Sequence, residues 1–230
     1  MSLSSPQEKG QLALEVRSYY AMKAKERKYI FYINMKRLLD IGAAVTGILL
    51  LSPLLLLIGI LIKLEDRDGP VLFHQMRIGK DGKLFKMYKF RSMVRNAEQL
   101  LNTLQERNEI SGAMFKIKHD PRVTRIGRFI RRTSLDELPQ LINVLKGEMS
   151  LVGPRPALPR EVAEYSSYHK QRLLVIPGCT GLWQVSGRSS LSFEQMVELD
   201  LKYIERSSLA FDLLLIMKTF RVLFGTKDAY

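Results

Sequence analysis

The stretch Ile41–Ile62, IGAAVTGILLLSPLLLLIGILI, decides how this chain is built. It carries no charged side chain, and about 20 apolar residues suffice for a helix to cross the hydrocarbon of a bilayer. Ser52-Pro53 stands in its middle. Proline removes one backbone donor and crowds the carbonyl four residues back, here Leu49, which favours a kink or a break. A serine hydroxyl can bond a preceding carbonyl and keep the freed acceptor satisfied inside lipid. Basic residues flank the run on both sides: Lys23, Lys25, Arg27, Lys28, Lys36 and Arg37 before it, Lys63, Arg67, Arg77, Lys80 and Lys83 after it. Lys and Arg mark cytoplasmic flanks, and a crossing helix should be lopsided. A helix that bends at Ser52-Pro53 and returns would place both flanks on one side. From the residues alone, a kinked span and a re-entrant hairpin stand level.

Outward from this segment, the chain is strongly basic, with a formal net charge of +13 in 230 residues. Such a charge attracts nucleic acid, anionic lipid or anionic small molecules. The basic residues flank the apolar run and recur over 77–95 and 118–132, which favours an anionic membrane surface over nucleic acid. Residues 11–40 read as a basic amphipathic helix lying on that surface. A single cysteine, Cys179, excludes an internal disulfide and fits a reducing compartment. His74, His119 and His169 are scattered, with no zinc spacing. The opening residues MSLSSPQEKG lack the apolar core of a secretory signal.

The rest reads as a small, helix-rich mixed α/β domain. A charged turn over 64–70 leads to strand, turn and strand over 71–94, with Gly79-Lys80-Asp81-Gly82 as the turn. Helices are expected over 95–108, 122–132, 137–147, 160–175, 192–206 and 209–224, the last apolar enough to touch the bilayer. Residues 109–118 read as loop or short strand, SLVGPRP as a stiff turn, and 176–188 as loop and short strand.

The chemistry-bearing stretch is RRTSLDELPQL, residues 131–141. Ser134 and Glu137 have the spacing of a capping box, and Pro139 belongs near a helix start. Asp136 and Glu137 therefore fall at a helix N-terminus, where the plain reading is two capping acids. Their setting offers another. Adjacent carboxylates can hold Mg²⁺, Arg131 and Arg132 suit phosphate, and an ionised Asp can attack phosphorus. In VGPRP, prolines on both sides restrict Arg155. In YKFRSM, Lys89 and Arg91 would share a strand face. Asp66-Arg67-Asp68 has the shape of a metal-binding Asp-x-Asp but reads as a turn beside Gly69-Pro70. There is no Walker-type loop and no serine nucleophile elbow.

Taken together, KRLLD before an apolar run with Ser-Pro, FHQMRIGKDGKLFKMYKFRSM, RRTSLDELPQLINVLKGEMSLVGPRP, PGCTGLWQVSGR and ELDLKYI resemble the bacterial sugar transferase family, the monotopic polyprenyl-phosphate phosphoglycosyltransferases. The resemblance covers residues 34–225. It implies a re-entrant membrane helix over 34–63, broken at Ser52-Pro53, an N-terminal extension over 1–33, and a cytoplasmic catalytic domain over 64–230 at the bacterial inner membrane. It implies transfer of a sugar-1-phosphate from a UDP-sugar to undecaprenyl phosphate, releasing UMP, by a Mg²⁺-dependent ping-pong mechanism that starts a surface glycan. Asp136 would be the nucleophile and Glu137 its partner in metal binding or proton handling. Arg131, Lys89, Arg155, Arg188 and Asp200 match substrate-binding positions. The partners implied are the UDP-sugar, undecaprenyl phosphate and anionic lipid, with no nucleic acid, and a homodimer is compatible with the pattern. LWQVSGR leans towards glucose or galactose over amino sugars. Two competing readings are a metal-dependent glycosyltransferase built on Asp66 and Asp68, which would release UDP, and a non-enzymatic membrane adaptor.

Overall fold

The computed structural model describes residues 26–97, 99–100, 117, 120–187 and 190–225. Residues 1–25, Arg188 and most of the segments expected at 95–108 and 109–118 lie outside the described residues.

Leucine and isoleucine dominate the first element, a 39-residue helix α1 over Arg27–Glu65 that contains Pro53. Pro53 cannot donate to the Leu49 carbonyl; the Ser52 hydroxyl donates to that carbonyl instead, at 2.8 Å. The orphaned acceptor is satisfied locally, as the sequence led one to expect. One stripe of α1 is buried: Tyr32, Asp40, Ala44, Ile58 and Ile62. These positions repeat at helical spacing, so a single face meets the rest of the chain. Away from that face, Leu49, Leu50 and Leu56 are about two-thirds or more exposed, an apolar surface of the kind that marks a membrane or partner contact. It is the one described helix long and apolar enough to cross a membrane.

Polar straps fasten α1 along its length. The Arg37 guanidinium donates to the Val144 and Leu145 carbonyls at 2.5 and 2.7 Å. Asp40 accepts from the Leu151 amide at 3.0 Å. Tyr32 and Lys36 donate to buried Asp212 at 3.0 and 2.8 Å. At the other end, Glu65 accepts from the Arg125 and Ile126 amides at 2.7 and 3.1 Å, satisfying donors at the start of the next helix.

An antiparallel hairpin follows, β1 over Leu72–Ile78 and β2 over Leu84–Phe90, with Leu72 opposite Phe90 and Ile78 opposite Leu84. Its turn uses positive φ at Asp81 (56°) and Gly82 (78°), a conformation that Gly and Asp reach at little cost. Helix α2, Arg125–Arg132, is capped by Thr124. A single 3-10 turn over Leu135–Glu137 links it to α3, Gln140–Lys146. The chain continues through β3 (Ser150–Val152), α4 (Pro159–Ala163), β4 (Gly178–Thr180), α5 (Phe193–Arg206) and α6 (Leu209–Gly225). Strands β3 and β4 pair in parallel. The expected helix over 160–175 is instead α4 and a separate 3-10 stretch, His169–Leu174.

Three apolar clusters join these parts. Ile58 and Ile62 of α1 pack with Phe90 and Ile130. Ala44 packs with Phe85, Met87, Val144 and Met149. Val152, Leu182, Tyr203, Ile204 and Leu215 form the third. Each large side chain buried in this way contributes roughly 1.5–3 kcal/mol. Two of the clusters have buried members on α1 and Tyr29 of α1 packs against the third, so the apolar helix shares the core of the rest of the chain.

One expectation fails beside the site. Ser134 is not an N-cap: it sits in the left-handed region at φ 56° and ψ 16°, and its side chain makes no cap bond. Its amide donates to the Arg131 carbonyl at 3.1 Å. Ser134 therefore closes α2 in the left-handed position that often ends a helix, rather than opening α3. The capping-box spacing arises because two helices nearly abut. A non-glycine residue held this way stores strain next to the two carboxylates.

Candidate active site

The one-turn 3-10 segment after α2 presents Asp136 and Glu137 differently. Asp136 is buried at 9% exposure. Burial pushes its carboxyl up to about 6, against the pull of Lys89 and with a further push from Glu137; Arg131 also pulls it down. Among the described residues no side chain donates a hydrogen bond to it. Glu137 is partly exposed and accepts from Lys89 Nζ at 2.7 Å. Burial pushes Glu137 up too, but Lys89, Arg155 and Arg77 outweigh it and hold its carboxyl below the ordinary range. Neighbouring carboxylates are thus driven apart in acidity by their different surroundings.

Lys89 reaches Glu137 because β2 is clamped to α3. Asn143, fully buried on α3, donates from Nδ2 to the Lys86 carbonyl and the Glu148 carboxylate, both at 2.7 Å. It accepts from the Tyr88 amide at 3.0 Å. Lys89 and Arg91 do not gather on one ligand: Arg91 pairs with Asp66 at 2.5 Å. Asp66 is thereby a structural turn residue, its other oxygen accepting from the Gly69 amide at 3.4 Å. Asp68 is exposed.

A cleft beside Glu137 is lined by Arg77, Lys89, Gln140, Arg155, Cys179 and Gln184. Pro154 and Pro156 are buried while Arg155 between them is exposed, so the prolines seat the loop and the arginine faces out. Arg77 is 5% exposed and braces that loop, donating to the Pro156 carbonyl at 3.0 Å and to Gln75 Oε1 at 2.7 Å. Its Nε has no partner among the described residues. Burial and the Arg155 charge bring the Arg77 guanidinium down to about 10. Three cations thus converge around one anionic carboxylate, an excess that suits a polyanionic ligand. Burial pushes the Cys179 thiol up, which favours the protonated form over the thiolate.

The remaining expected residues fall elsewhere. Arg131 ends α2 on the Asp136 side. Asp200 does not line the cleft. It is fully buried on α5 and paired with Arg172, which also donates to Tyr165 Oη at 2.9 Å. Arg188 lies outside the described residues. Sequence reading missed Arg77, which it counted with the basic membrane flank, and Gln140, Gln184 and Asn143. Only the alternation along β1 could have set Arg77 apart.

A family model described as bacterial sugar transferase matches residues 31–226. The chain belongs to the bacterial sugar transferase family. It is 42% identical to a galactosyl transferase of Streptococcus agalactiae over 94% of this chain and 49% of that protein. It is 43% identical to an undecaprenyl-phosphate galactose phosphotransferase of Salmonella typhimurium over 85% of this chain and 42% of that protein. An exopolysaccharide production protein of Rhizobium meliloti is 42% identical over 85% of this chain and 88% of its own length. The chain therefore spans about half the length of the first two of these curated relatives and matches most of the third. Of the two carboxylates only Glu137 lines the cationic cleft; Asp136, its neighbour in sequence, does not.

Proposed function

We propose that this protein transfers a hexose-1-phosphate, of glucose or galactose, from its UDP derivative to undecaprenyl phosphate, giving the undecaprenyl diphosphate sugar and UMP. The observation that carries this reading is the divided pair: Asp136 raised to about 6 by burial, Glu137 held down beside a cleft of three cations. The names of the relatives, a galactosyl transferase and an undecaprenyl-phosphate galactose phosphotransferase, support the choice of acceptor and sugar.

In this scheme Arg77, Lys89 and Arg155 bind the donor diphosphate. At pH above 6 Asp136 is ionised yet more basic than an ordinary aspartate, hence a stronger nucleophile. Its Oδ attacks the sugar-bearing phosphorus. The bond from that phosphorus to the bridging oxygen breaks, and UMP leaves with that oxygen and its electron pair. A phosphate oxygen of undecaprenyl phosphate then attacks the same phosphorus, and the bond to Asp136 breaks, restoring the carboxylate. Lys89 keeps Glu137 ionised and fixed. Mg²⁺ fits the donor set: Asp136 is a buried anion without a side-chain donor, and Mg²⁺ is commonly held by one or two carboxylates with substrate phosphates and water completing the shell. When bound by Asp136 and Glu137, it would supply neutralisation of phosphate charge.

The re-entrant topology belongs to this proposal. Tyr32 to Glu65 of a straight helix would span about 50 Å, whereas a compact domain of roughly 165 residues is about 40 Å across. Yet residues near both ends of α1, Tyr32 and Glu65, bond to the same domain. This docking of both ends supports a re-entrant path in which a bend at Ser52-Pro53 would bring both ends of α1 to the cytoplasmic face of the inner membrane, where the donor is.

The test is a UMP-release assay over a panel of UDP-sugars with undecaprenyl phosphate. Asp136→Asn and Glu137→Gln are expected to lose about a thousandfold or more in rate; near wild-type release in both would sink the scheme. Tags at residues 5 and 230 should both be shielded from the periplasm.

A further inference from the structure

The structure holds a second, larger concavity that the donor chemistry does not use. It is an apolar groove of about 850 Å³ between the C-terminal half of α1 and the start of α3. Leu55 and Gly59 form one wall, Leu138, Pro139 and Ile142 the other, and Phe90 lies between them. Leu56, Ile60 and Leu64 stand on its rim and are exposed, so the groove opens sideways where the exposed apolar side of α1 lies.

Its position is the informative fact. Lys89 lines the cationic cleft, and the next residue, Phe90, lines the groove. Glu137 lines the cleft, and Leu138 lines the groove. Gln140 lines the cleft, and Pro139 before it lines the groove. Neighbouring residues of β2 and of the segment after Asp136 thus line the two cavities in turn, so the cavities adjoin along that edge. An amphiphile with a long apolar chain and a phosphate head matches this pair: apolar walls on one side, Arg77, Lys89 and Arg155 on the other.

We propose that the groove holds the isoprene units nearest the phosphate of the acceptor lipid and so aims that phosphate at Asp136. This rests on the function proposed above. Gly59 keeps the groove open: a Cβ there meets only Val71 Cγ1, at 3.4 Å, so a larger side chain at 59 grows into the groove without displacing backbone.

The test uses the full chain in nanodiscs, with an isoprenyl phosphate bearing a diazirine near its head. Labelling is expected on peptides covering residues 48–64 and 138–142, displaced by undecaprenyl phosphate and not by phosphatidylglycerol. Equal displacement by phosphatidylglycerol, or labelling confined to other helices, overturns the proposal. Labelling needs neither donor nor turnover, so it reads the groove even if the covalent scheme fails. In kinetics, Gly59→Leu and, on the opposite wall, Ile142→Trp should each lower kcat/KM for undecaprenyl phosphate about tenfold or more, since filling an apolar subsite has that scale of effect. The UMP released from donor alone should stay within twofold of wild type. Variants that leave acceptor kinetics unchanged, or that slow both halves equally, also overturn it.

Discussion

Asn143 is where stability and site geometry meet. It is fully buried, and its amide is used at every position that matters: both Nδ2 hydrogens are donated, to Lys86 and Glu148, and Oδ1 receives the Tyr88 amide. Asn143→Ala removes three hydrogen bonds, each worth about 1 kcal/mol net, and leaves a carbonyl and an amide of β2 to find water. Lys86 is exposed and Tyr88 half-buried, so water can reach them and the loss should be about 3 kcal/mol rather than the full desolvation cost. For a chain of this size that lowers Tm by about 6–12 °C. Asn143→Asp has the same shape but turns two donors into acceptors facing the Lys86 carbonyl and the Glu148 carboxylate, and should be at least as damaging. Thermal unfolding in nanodiscs, followed by the fluorescence of Trp183, measures this. Below the transition, loosened β2 should let Lys89 drift from Glu137 and lower donor kcat/KM about tenfold. A Tm shift under about 2 °C for Ala, or an Asp variant as stable as wild type, would show that this clamp does not hold the strand.

Other outcomes follow from the same geometry. Asp136→Asn should be inactive but more stable. A carboxyl raised from 3.8 to about 6 favours the protonated form in the fold, so its contribution is intact below pH 4 and is lost as pH rises to 6. Above that the cost is about 3 kcal/mol at most, since one pKa unit is worth about 1.4 kcal/mol. Denaturant melts at pH 7.5 with EDTA should therefore show Asn gaining stability, and a loss would contradict the burial argument. Arg77→Met should raise the donor KM about tenfold, with Arg77→Lys between it and wild type because it keeps the charge but not the fork that braces Pro156; equal KM values for all three would remove Arg77 from the site. Lys89→Met takes away the cation that holds Glu137 down, so the acid limb of UMP release should move to higher pH. An unmoved limb would mean that Glu137 ionisation is not what the rate reports.

Of the residues expected from the sequence, Lys89, Glu137 and Arg155 line the cleft, and Asp136, Arg131 and Asp200 do not. The prolines around Arg155 announce its rigidity, because the motif that holds it is local. Local capping was half legible. Ser192 and Gln195 form a true capping box at the start of α5, while Ser134 and Glu137, with equivalent spacing, do not. The difference is what precedes them: Ser134 follows directly on α2 and is taken up in ending it. Long-range polar contacts left no local trace. Arg37 and Lys36 read as membrane-flanking charges, yet Arg37 bonds the end of α3 and Lys36 bonds Asp212. Arg77 read likewise and is buried in the cleft. The charge argument for both flanks thus rests on fewer exposed residues, Lys63 and Arg67 among them, and topology is better argued from where the two ends of α1 dock. The stripe of α1 that faces the domain was hidden because an all-apolar run has no polar face to reveal the buried one.

The central claim is that the Asp136 carboxylate becomes esterified to the sugar-linked phosphoryl group. Incubating the protein with UDP-sugar alone, quenching in acid and mapping peptides by mass spectrometry tests it directly. A hexose-phosphate adduct on the Asp136 peptide, formed with stoichiometric UMP and discharged by undecaprenyl phosphate, is the predicted result. Sustained turnover with no adduct at that residue would contradict it.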